Sequence, residues 1–140
     1  MTEDTSAAQE PTPYELADQW IADAVAALPG ASFAYKHEWD TWVLWVGGKM
    51  FGMRGAHPNK GEILTLKGTP ADNEALRAEF DAIEPGYYAN KQHWNSVLLD
   101  RDEVPRALVV ELIGESYALV RASLPKRVQA GLDGDASALG

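Results

Sequence analysis

The sequence predicts an α+β domain in which helices pack on one face of an antiparallel sheet. Short alternating or apolar runs follow one another between residues 32 and 67, too closely for the crossover connections that parallel strands need. Apolar residues recur at helical spacing before and after this region. The length of 140 residues and the apolar content of 46% fit one domain with a single buried core.

Composition sets the expected domain boundaries. Residues 1–11 are rich in Thr, Ser, Ala, Glu and Pro, and we expect a disordered N-terminal tail there. Residues 12–127 carry the periodic segments and form the predicted single domain. Residues 128–140 are rich in Gly, Ala and Ser, and we expect a flexible C-terminal tail.

The first predicted helix has clear start and stop signals. Thr12 is a suitable N-cap and Pro13 suits the first helical position, while Pro29-Gly30 ends the periodic run. The residues at helical spacing are Ala17, Trp20, Ile21, Ala24 and Leu28. We therefore expect this helix to cover the core, with Trp20 buried.

A β region follows. The predicted strands are SFAYKHEW (32–39), TWVLWV (41–46), KMFGMR (49–54) and EILTLK (62–67). Alternation in the first strand places Phe33, Tyr35, His37 and Trp39 on one side. Gly47-Gly48 predicts a two-residue hairpin turn, and GAHPNKG (55–61) predicts a looser one. We interpret Trp39, Trp42 and Trp45 as core or cross-strand pairs, with an aromatic binding surface as the alternative.

The second half of the chain predicts two helices around one strand. The first of these helices runs from Pro70 or Asp72 to Ile83, with Leu76, Phe80 and Ile83 on one face. WNSVLL (94–99) predicts the strand. The last helix begins near Pro105 and stops at Pro125. Its apolar face comprises Val109, Leu112, Ile113, Tyr117, Val120 and Leu124.

Composition also bears on function. The absence of cysteine excludes disulfides, thiolate nucleophiles and Cys-ligated zinc. The three histidines, His37, His57 and His93, lie in different segments without a second ligand at helical spacing, so we expect no metal and no cofactor. The serines lack a nucleophile-elbow context, and Gly47-Gly48-Lys49 lacks the spacing of a phosphate-binding loop. We expect a protein that is not an enzyme.

Charge and targeting signals complete these expectations. The net charge of −9 repels polyanions at long range, although a local basic patch is compatible with it. The N-terminus has neither the basic region nor the apolar core of a signal peptide, and no apolar run approaches the length of a membrane span. We expect a cytoplasmic monomer without membrane contact.

The stretch PGYYANKQHWNSVLLD (85–100) concentrates polar and aromatic residues just before a strand. The structural interpretation is that Pro85-Gly86 turns the chain, Asn90 caps a turn or adopts a left-handed conformation, and Trp94 packs inward. The functional interpretation is that Asn90, Lys91 and His93 are surface donors flanked by Tyr87 and Tyr88. Such donors suit phosphate or base contacts.

Together with this stretch, three further motifs make the chain resemble the MmcQ/YjbR family. They are VGGKMF (46–51), LTLKGTP (64–70) and LIGESYALVRASLPKR (112–127). The resemblance extends from the first helix to about Arg127, and it departs from the family pattern at Tyr88, where many relatives carry His. It implies a compact α+β fold similar to the frataxin-like CyaY proteins, a double-wing arrangement and a DNA-binding label, and it brings no catalytic residue. The matching family positions are Lys49, Lys67, Asn90, Lys91, His93 and Trp94.

The leading functional hypothesis is therefore weak binding of double-stranded DNA through two wing loops, 56–60 and 89–93. The candidate contact residues are Lys49, Lys60, Lys67, Asn90, Lys91 and His93, with Tyr87 and Trp94 as structural anchors. Three or four phosphate contacts would make binding weak at cellular salt.

Two alternatives use the same region. One is a protein-interaction module that presents the 85–94 surface to a partner protein. The other is a small-molecule binder or enzyme in which Lys49, Lys67 and His93 converge on a pocket. A frataxin-like iron role would follow from fold similarity alone, and the first helix lacks an acidic cluster beyond Glu15, Asp18 and Asp23.

Overall fold

Six strands form one antiparallel sheet. The computed structural model describes residues 18–87 and 89–139. The strands are β1 (Ala31–Lys36), β2 (Thr41–Val46), β3 (Lys49–His57), β4 (Gly61–Lys67), β5 (Ile83–Pro85) and β6 (Trp94–Leu98). The helices are α1 (Gln19–Ala26), α2 (Pro70–Glu79), α3 (Arg106–Ala122) and α4 (Lys126–Leu139), and two short 3-10 turns span His37–Trp39 and Leu99–Arg101. The spatial order is β1-β2-β3-β4-β6-β5, with every neighbouring pair antiparallel.

The main core lies between one face of this sheet and the helices α1 and α3. Ile21 and Val25 of α1 are buried, as are Val109, Ile113, Tyr117 and Val120 of α3. They pack against strand residues that include Leu44, Phe51, Leu64, Leu66 and Val97. This arrangement confirms the predicted α+β class with helices on one face of the sheet. The predicted helix start at Thr12 and the predicted tail 1–11 lie outside the described residues.

Several predicted details are confirmed by the local chemistry. Gly47 and Gly48 both have positive φ, 56° and 81°, which the two-residue hairpin turn requires. Thr69 caps α2, because its side-chain oxygen accepts a hydrogen bond from the Asp72 N–H at 3.2 Å, and Pro70 follows at the first helical position. Pro105 directly precedes α3.

The predicted extent of the first strand was wrong. The first strand ends at Lys36 instead of Trp39, because Lys36 pairs with Thr41 and the four residues between them must reverse the chain. Asp40 closes this reversal in a left-handed conformation, and the Trp39 side chain is left 48% exposed. His37 and Trp39 therefore do not continue the alternation.

Ile83 is not on a helix. Helix α2 ends at Glu79, and Ile83 begins the short strand β5, where it pairs with Val97. Its spacing from Leu76 and Phe80 mimics a helical stripe, but its side chain is buried in the sheet, and its N–H donates to the Phe80 carbonyl at 3.1 Å. Pro85, which has no N–H, suits the edge position of β5.

The C-terminal segment also differs from expectation. Helix α4 covers residues 126–139, where a loose tail was expected beyond Val128. Val128 and Leu132 pack against the core. A Cβ at Gly30 would lie 2.2 Å from Leu132 Cδ2, so α4 closely approaches the turn between α1 and β1. Apolar residues one turn apart give α4 a surface to bury that composition alone conceals.

A bulge opens β3 at the point where α3 crosses it. The register between β2 and β3 shifts between Leu44 and Trp45. The buried Ser116 of α3 fills the gap: its hydroxyl donates to the Phe51 carbonyl at 2.5 Å and accepts from the Lys67 N–H at 2.9 Å. One side chain thus satisfies two backbone groups that the ladder leaves unpaired.

Candidate functional site

The loop between β5 and β6 is held by its own side chains. Asn90 Oδ1 accepts hydrogen bonds from the Gln92 N–H at 2.9 Å and the His93 N–H at 3.1 Å, and the Asn90 carbonyl accepts from the Trp94 N–H at 3.0 Å. Asn90 therefore caps the turn, and its φ is not positive. These contacts use the side-chain oxygen and the carbonyl of Asn90, and the residue remains exposed.

Lys91 also contributes to this loop. Its Nζ donates to the Gly86 carbonyl at 3.0 Å, and the Gly86 N–H donates to the Trp94 carbonyl at 2.8 Å. A Cβ at Gly86 would lie 2.8 Å from the Trp94 Cβ, so only glycine fits this close approach. The prediction that Pro85-Gly86 turns the chain was wrong, because Pro85 ends β5 opposite Asn95 and the Gly86 N–H continues that pairing. Trp94 begins β6 and is half-buried. Tyr88 lies outside the described residues.

Helix α2 fastens the loop from the other side. The buried Asn73 donates from Nδ2 to the Gln92 carbonyl at 3.1 Å and to the Gly68 carbonyl at 3.3 Å. Sequence reasoning missed Asn73, because a polar residue in the second turn of an amphipathic helix is usually solvated. The Gly68-Thr69-Pro70 turn and the 89–93 loop therefore form one unit.

Arg77 and Asn95 extend that unit. Arg77 Nη1 donates to Asn95 Oδ1 at 2.7 Å and to the Lys91 carbonyl at 3.3 Å, while Asn95 Nδ2 donates to the Asn73 carbonyl at 3.2 Å. Asn95 faces the helices because it pairs with Leu66 of the core. Much of the motif that carries the family resemblance thus builds the loop.

Tyr87 lies on the face of the sheet opposite the helices. Its N–H donates to Ser96 Oγ at 3.2 Å, and Ser96 Oγ lies 2.7 Å from the hydroxyl of Thr65, both buried. The Tyr87 ring packs on the His57 ring with 4.3 Å between centroids. Tyr87 is therefore an anchor of the loop, although 40% of it remains exposed.

The two loops predicted as wings lie at opposite ends of β4. The turn after β3 precedes Gly61, whereas the 89–93 loop adjoins Lys67, which pairs with Trp94. Seven residues of strand place these ends about 20 Å apart. In the first loop, Lys60 Nζ forms an ion pair with Glu84 at 2.6 Å, which neutralises its charge locally.

One end of the sheet collects the remaining candidate cations. Lys67 is opposite Trp94, and the Gly68 N–H donates to the His93 carbonyl at 2.9 Å. Lys49 follows the Gly47-Gly48 turn at the same end of the neighbouring strand. A Cβ at Gly47 would lie 2.6 Å from Leu124 Cδ1 and 3.2 Å from Val128 Cγ1.

Two further cations lie in the segment that contacts this turn. Lys126 and Arg127 stand between Leu124 and Val128, and both are exposed. We call Lys49, Lys67, Lys126 and Arg127 the basic end. Across residues 18–87 and 89–139 these four side chains make no ion pair. Asp72 and Glu115 line a small hollow beside Lys67 on the helical side. Their negative charges mark the border of the basic end on that side.

An ion triad with a buried arginine and a buried aspartate lies elsewhere, between α1 and the sheet. Arg54 is 3% exposed, and its guanidinium contacts the Asp18 carboxylate at 2.9 Å and the Glu62 carboxylate at 2.6 Å. Asp18 Oδ2 is buried without a hydrogen-bond partner in the described chain. Burial raises the pKa of Asp18 above its ordinary value, and Arg54 opposes that increase. Alternation in β3 places Arg54 on the core face. A charged residue at a core position is the sequence signal from which this triad could have been predicted.

The described residues contain neither a candidate metal site nor a helix that could span a membrane. Among residues 18–87 and 89–139, no three His, Asp or Glu side chains lie close enough to hold a metal ion together. No described helix has the length and apolar character needed to cross a bilayer.

Comparison with known proteins places the chain in a family. The YjbR family model matches residues 26–119. The uncharacterised YbdF of Escherichia coli O157:H7 is 36% identical over 84 residues, which cover 60% of this chain and 67% of YbdF. The uncharacterised YjbR of Escherichia coli K12 is 29% identical over 100 residues, which cover 71% of this chain and 83% of YjbR.

A solved structure supports the same relationship. The crystal structure of DR2400 from Deinococcus radiodurans, which carries the domain DUF419, superposes with a TM-score of 0.70 at 31% identity. The match covers 81% of this chain and 85% of DR2400. Since the family model spans well over half of the chain and the fold agrees, this protein belongs to the YjbR family.

Proposed function

We propose that this protein is a non-catalytic module that binds double-stranded DNA weakly, through phosphate contacts made by the basic end. The observation that carries the proposal is the set of four cationic side chains without ion pairs at one end of the sheet. Ammonium and guanidinium groups bind phosphate oxygens, and such contacts are independent of base sequence. We expect little sequence preference.

The geometry of the 89–93 loop supports separate structural and binding roles for its residues. Asn90 and Lys91 hold the loop, whereas the exposed His93 lies beside Lys67 and faces solvent. In this proposal His93 adds a hydrogen-bond donor to the basic end. The double-wing description then applies to one loop and the adjoining hairpin turn rather than to the 56–60 loop.

The net charge of −9 explains why binding would be weak. Long-range repulsion between the protein and DNA opposes association, and salt screens both this repulsion and the local attraction. Four phosphate contacts give a slope of about −3 to −4 in log affinity against log salt. Affinity should therefore fall about a thousandfold or more between about 20 mM and about 200 mM salt.

Charge reversal at the basic end tests the proposal. Lys67→Glu should weaken binding of a short DNA duplex about tenfold or more at low salt, and it should reduce the salt slope by about one or more. The cause is the loss of one phosphate contact together with a new repulsive charge. Fluorescence anisotropy of a labelled duplex across a salt series measures both quantities.

Lys60→Glu is the matched control. It makes the same change in net charge, but Lys60 is paired with Glu84 at the far end of β4. Under the proposal its effect stays within about threefold. Equal weakening by both variants, or a salt slope near zero in the unmodified protein, would contradict the proposal.

A protein-interaction role is the second candidate, and the exposed Tyr87 ring favours it. Tyr87 is 40% exposed although its backbone and ring are fixed by Ser96 and His57. A rigid, partly exposed aromatic side chain is typical of an interface anchor. Under this alternative Tyr87→Ala abolishes partner capture, and the affinity is insensitive to competing phosphate.

A further inference from the structure

The sheet has a small cavity at the corner where β1 turns into β2. Its volume is about 270 Å³, it is open to solvent, and it is lined by Tyr35, Asp40, Trp42, Gly55, Ala56 and Glu62. This volume is just below the ~300–1,000 Å³ typical of sites for drug-sized ligands. The corner belongs to neither the basic end nor the 85–94 surface.

Two aromatic rings form one wall. Tyr35 pairs with Trp42 across the hairpin, so both side chains project from the same face of the sheet. Their ring centroids are 5.7 Å apart and their planes meet at 62°. Each ring has one further neighbour, Phe33 for Trp42 and His37 for Tyr35, with centroids 5.2 Å and 4.8 Å apart. Both rings line the cavity, where a cation could contact them.

Two carboxylates also line the cavity. Asp40 accepts a hydrogen bond from the Tyr35 hydroxyl through Oδ1, and Glu62 accepts from Arg54 through Oε1. In the described chain the second oxygen of each carboxylate has no hydrogen-bond partner. Arg54 is shared with Asp18, so these three charges leave one net negative charge, to which Asp40 adds a second.

The same hairpin already shows the contact that this cavity would make with a guest. Lys36 Nζ lies over the Trp39 ring, 4.9 Å from its centroid. Among the described residues, in contrast, no cation lies over Tyr35 or Trp42. The corner thus combines two aromatic rings without a cation over them, two unshared carboxylate oxygens and negative charge.

We propose that this corner binds a small organic cation, namely an amine or a quaternary ammonium compound. The aromatic faces attract the cation through their quadrupoles, and Asp40 and Glu62 supply the opposite charge. The small open cavity sets the expected dissociation constant on the order of 1 mM. The site is independent of DNA binding, since it neither shares a residue with the basic end nor has the same sign of charge.

Choline chloride is the probe, and its uncharged carbon isostere, dimethylbutanol, is the matched control ligand. In two-dimensional NMR, choline should shift the Trp42 indole N–H and the amides of residues 40–42 and 55–56 in a saturable manner. The isostere should bind about tenfold more weakly or worse, because it has the shape without the charge. Equal binding of both ligands, or no saturable shift, overturns the proposal.

Variants locate the site. Asp40→Asn should weaken choline binding about fivefold or more, and Asn tolerates the left-handed φ of 49° at this position. Glu38→Gln, in the same turn but outside the cavity, is the control and should leave the affinity unchanged. Tyr35→Leu should weaken binding about tenfold. Equal losses for Asp40→Asn and Glu38→Gln would show general charge attraction and overturn the site.

Discussion

Replacing Arg54 with Met should lower the free energy of unfolding by about 3–5 kcal/mol, a large share of the ~5–15 kcal/mol typical of a domain. Met keeps the apolar stem but removes the guanidinium from Asp18 and Glu62. The Asp18 carboxylate is then buried without a partner, and its desolvation is no longer offset. Urea unfolding followed by fluorescence gives the difference.

The loss of stability in Arg54→Met should depend on pH in a defined direction. Because burial raises the folded-state pKa of Asp18 above 3.8, the folded protein takes up this proton more readily than the unfolded chain. The resulting stabilisation is complete below the unfolded pKa and is lost as pH rises through the folded pKa. Without Arg54 the folded pKa rises further, so the Arg54→Met deficit should shrink on acidification.

Arg101→Met is the control for this comparison. Arg101 forms an exposed ion pair with Glu103 at 3.8 Å, so its loss should change stability by less than about 0.5 kcal/mol. The double variant Arg54→Met/Asp18→Asn should recover part of the lost stability. Similar deficits for Arg54→Met and Arg101→Met would refute the role of the triad.

Asn73→Ala should lower the free energy of unfolding by about 1–3 kcal/mol. The Gln92 and Gly68 carbonyls both lose their donor from Nδ2, and the 89–93 loop loses its fastening to α2. Hydrogen exchange should accelerate at His93 and Trp94 beyond what the global change in stability explains. Thermal unfolding and exchange monitored by NMR measure the two effects separately.

Asn59→Ala provides the comparison. Asn59 is exposed in the turn between β3 and β4, its N–H donates to His57 Nδ1, and its side chain makes no hydrogen bond within residues 18–87 and 89–139. Its expected change is within about 0.5 kcal/mol. If loop exchange in Asn73→Ala matches that of Asn59→Ala, the loop is held by other contacts.

Local signals predicted much of the fold. The Gly47-Gly48 turn, the cap before α2 and the apolar stripe of α3 each depend on residues close in sequence. The strand at Ile83 was missed because three residues cannot establish a period of two, and its pairing partner lies on a strand that begins eleven residues later. Helix α4 was missed because its apolar residues are buried by contact with the distant Gly30 and Gly47 turns, which local sequence does not show.

The candidate site was predicted less completely. The motif at 85–94 marks a loop, as both sequence interpretations held, and the structure assigns Asn90 and Lys91 to holding it. The α2 residues that contact this loop, Asn73 and Arg77, precede it by more than ten residues, so no local pattern could reveal the pairing. The basic end could not be predicted for the same reason, since only the pairing of strands in the sheet brings Lys49 and Lys67 to one side.

Amide chemical-shift mapping with a short DNA duplex tests the basic end most directly. At about 20 mM salt we predict shifts at residues 47–50, 67–68, 92–94 and 124–128, with most of them lost at about 200 mM. Residues 58–60, at the far end of β4, should not move. No shifts at low salt, or shifts centred on 58–60, would contradict phosphate binding by the basic end.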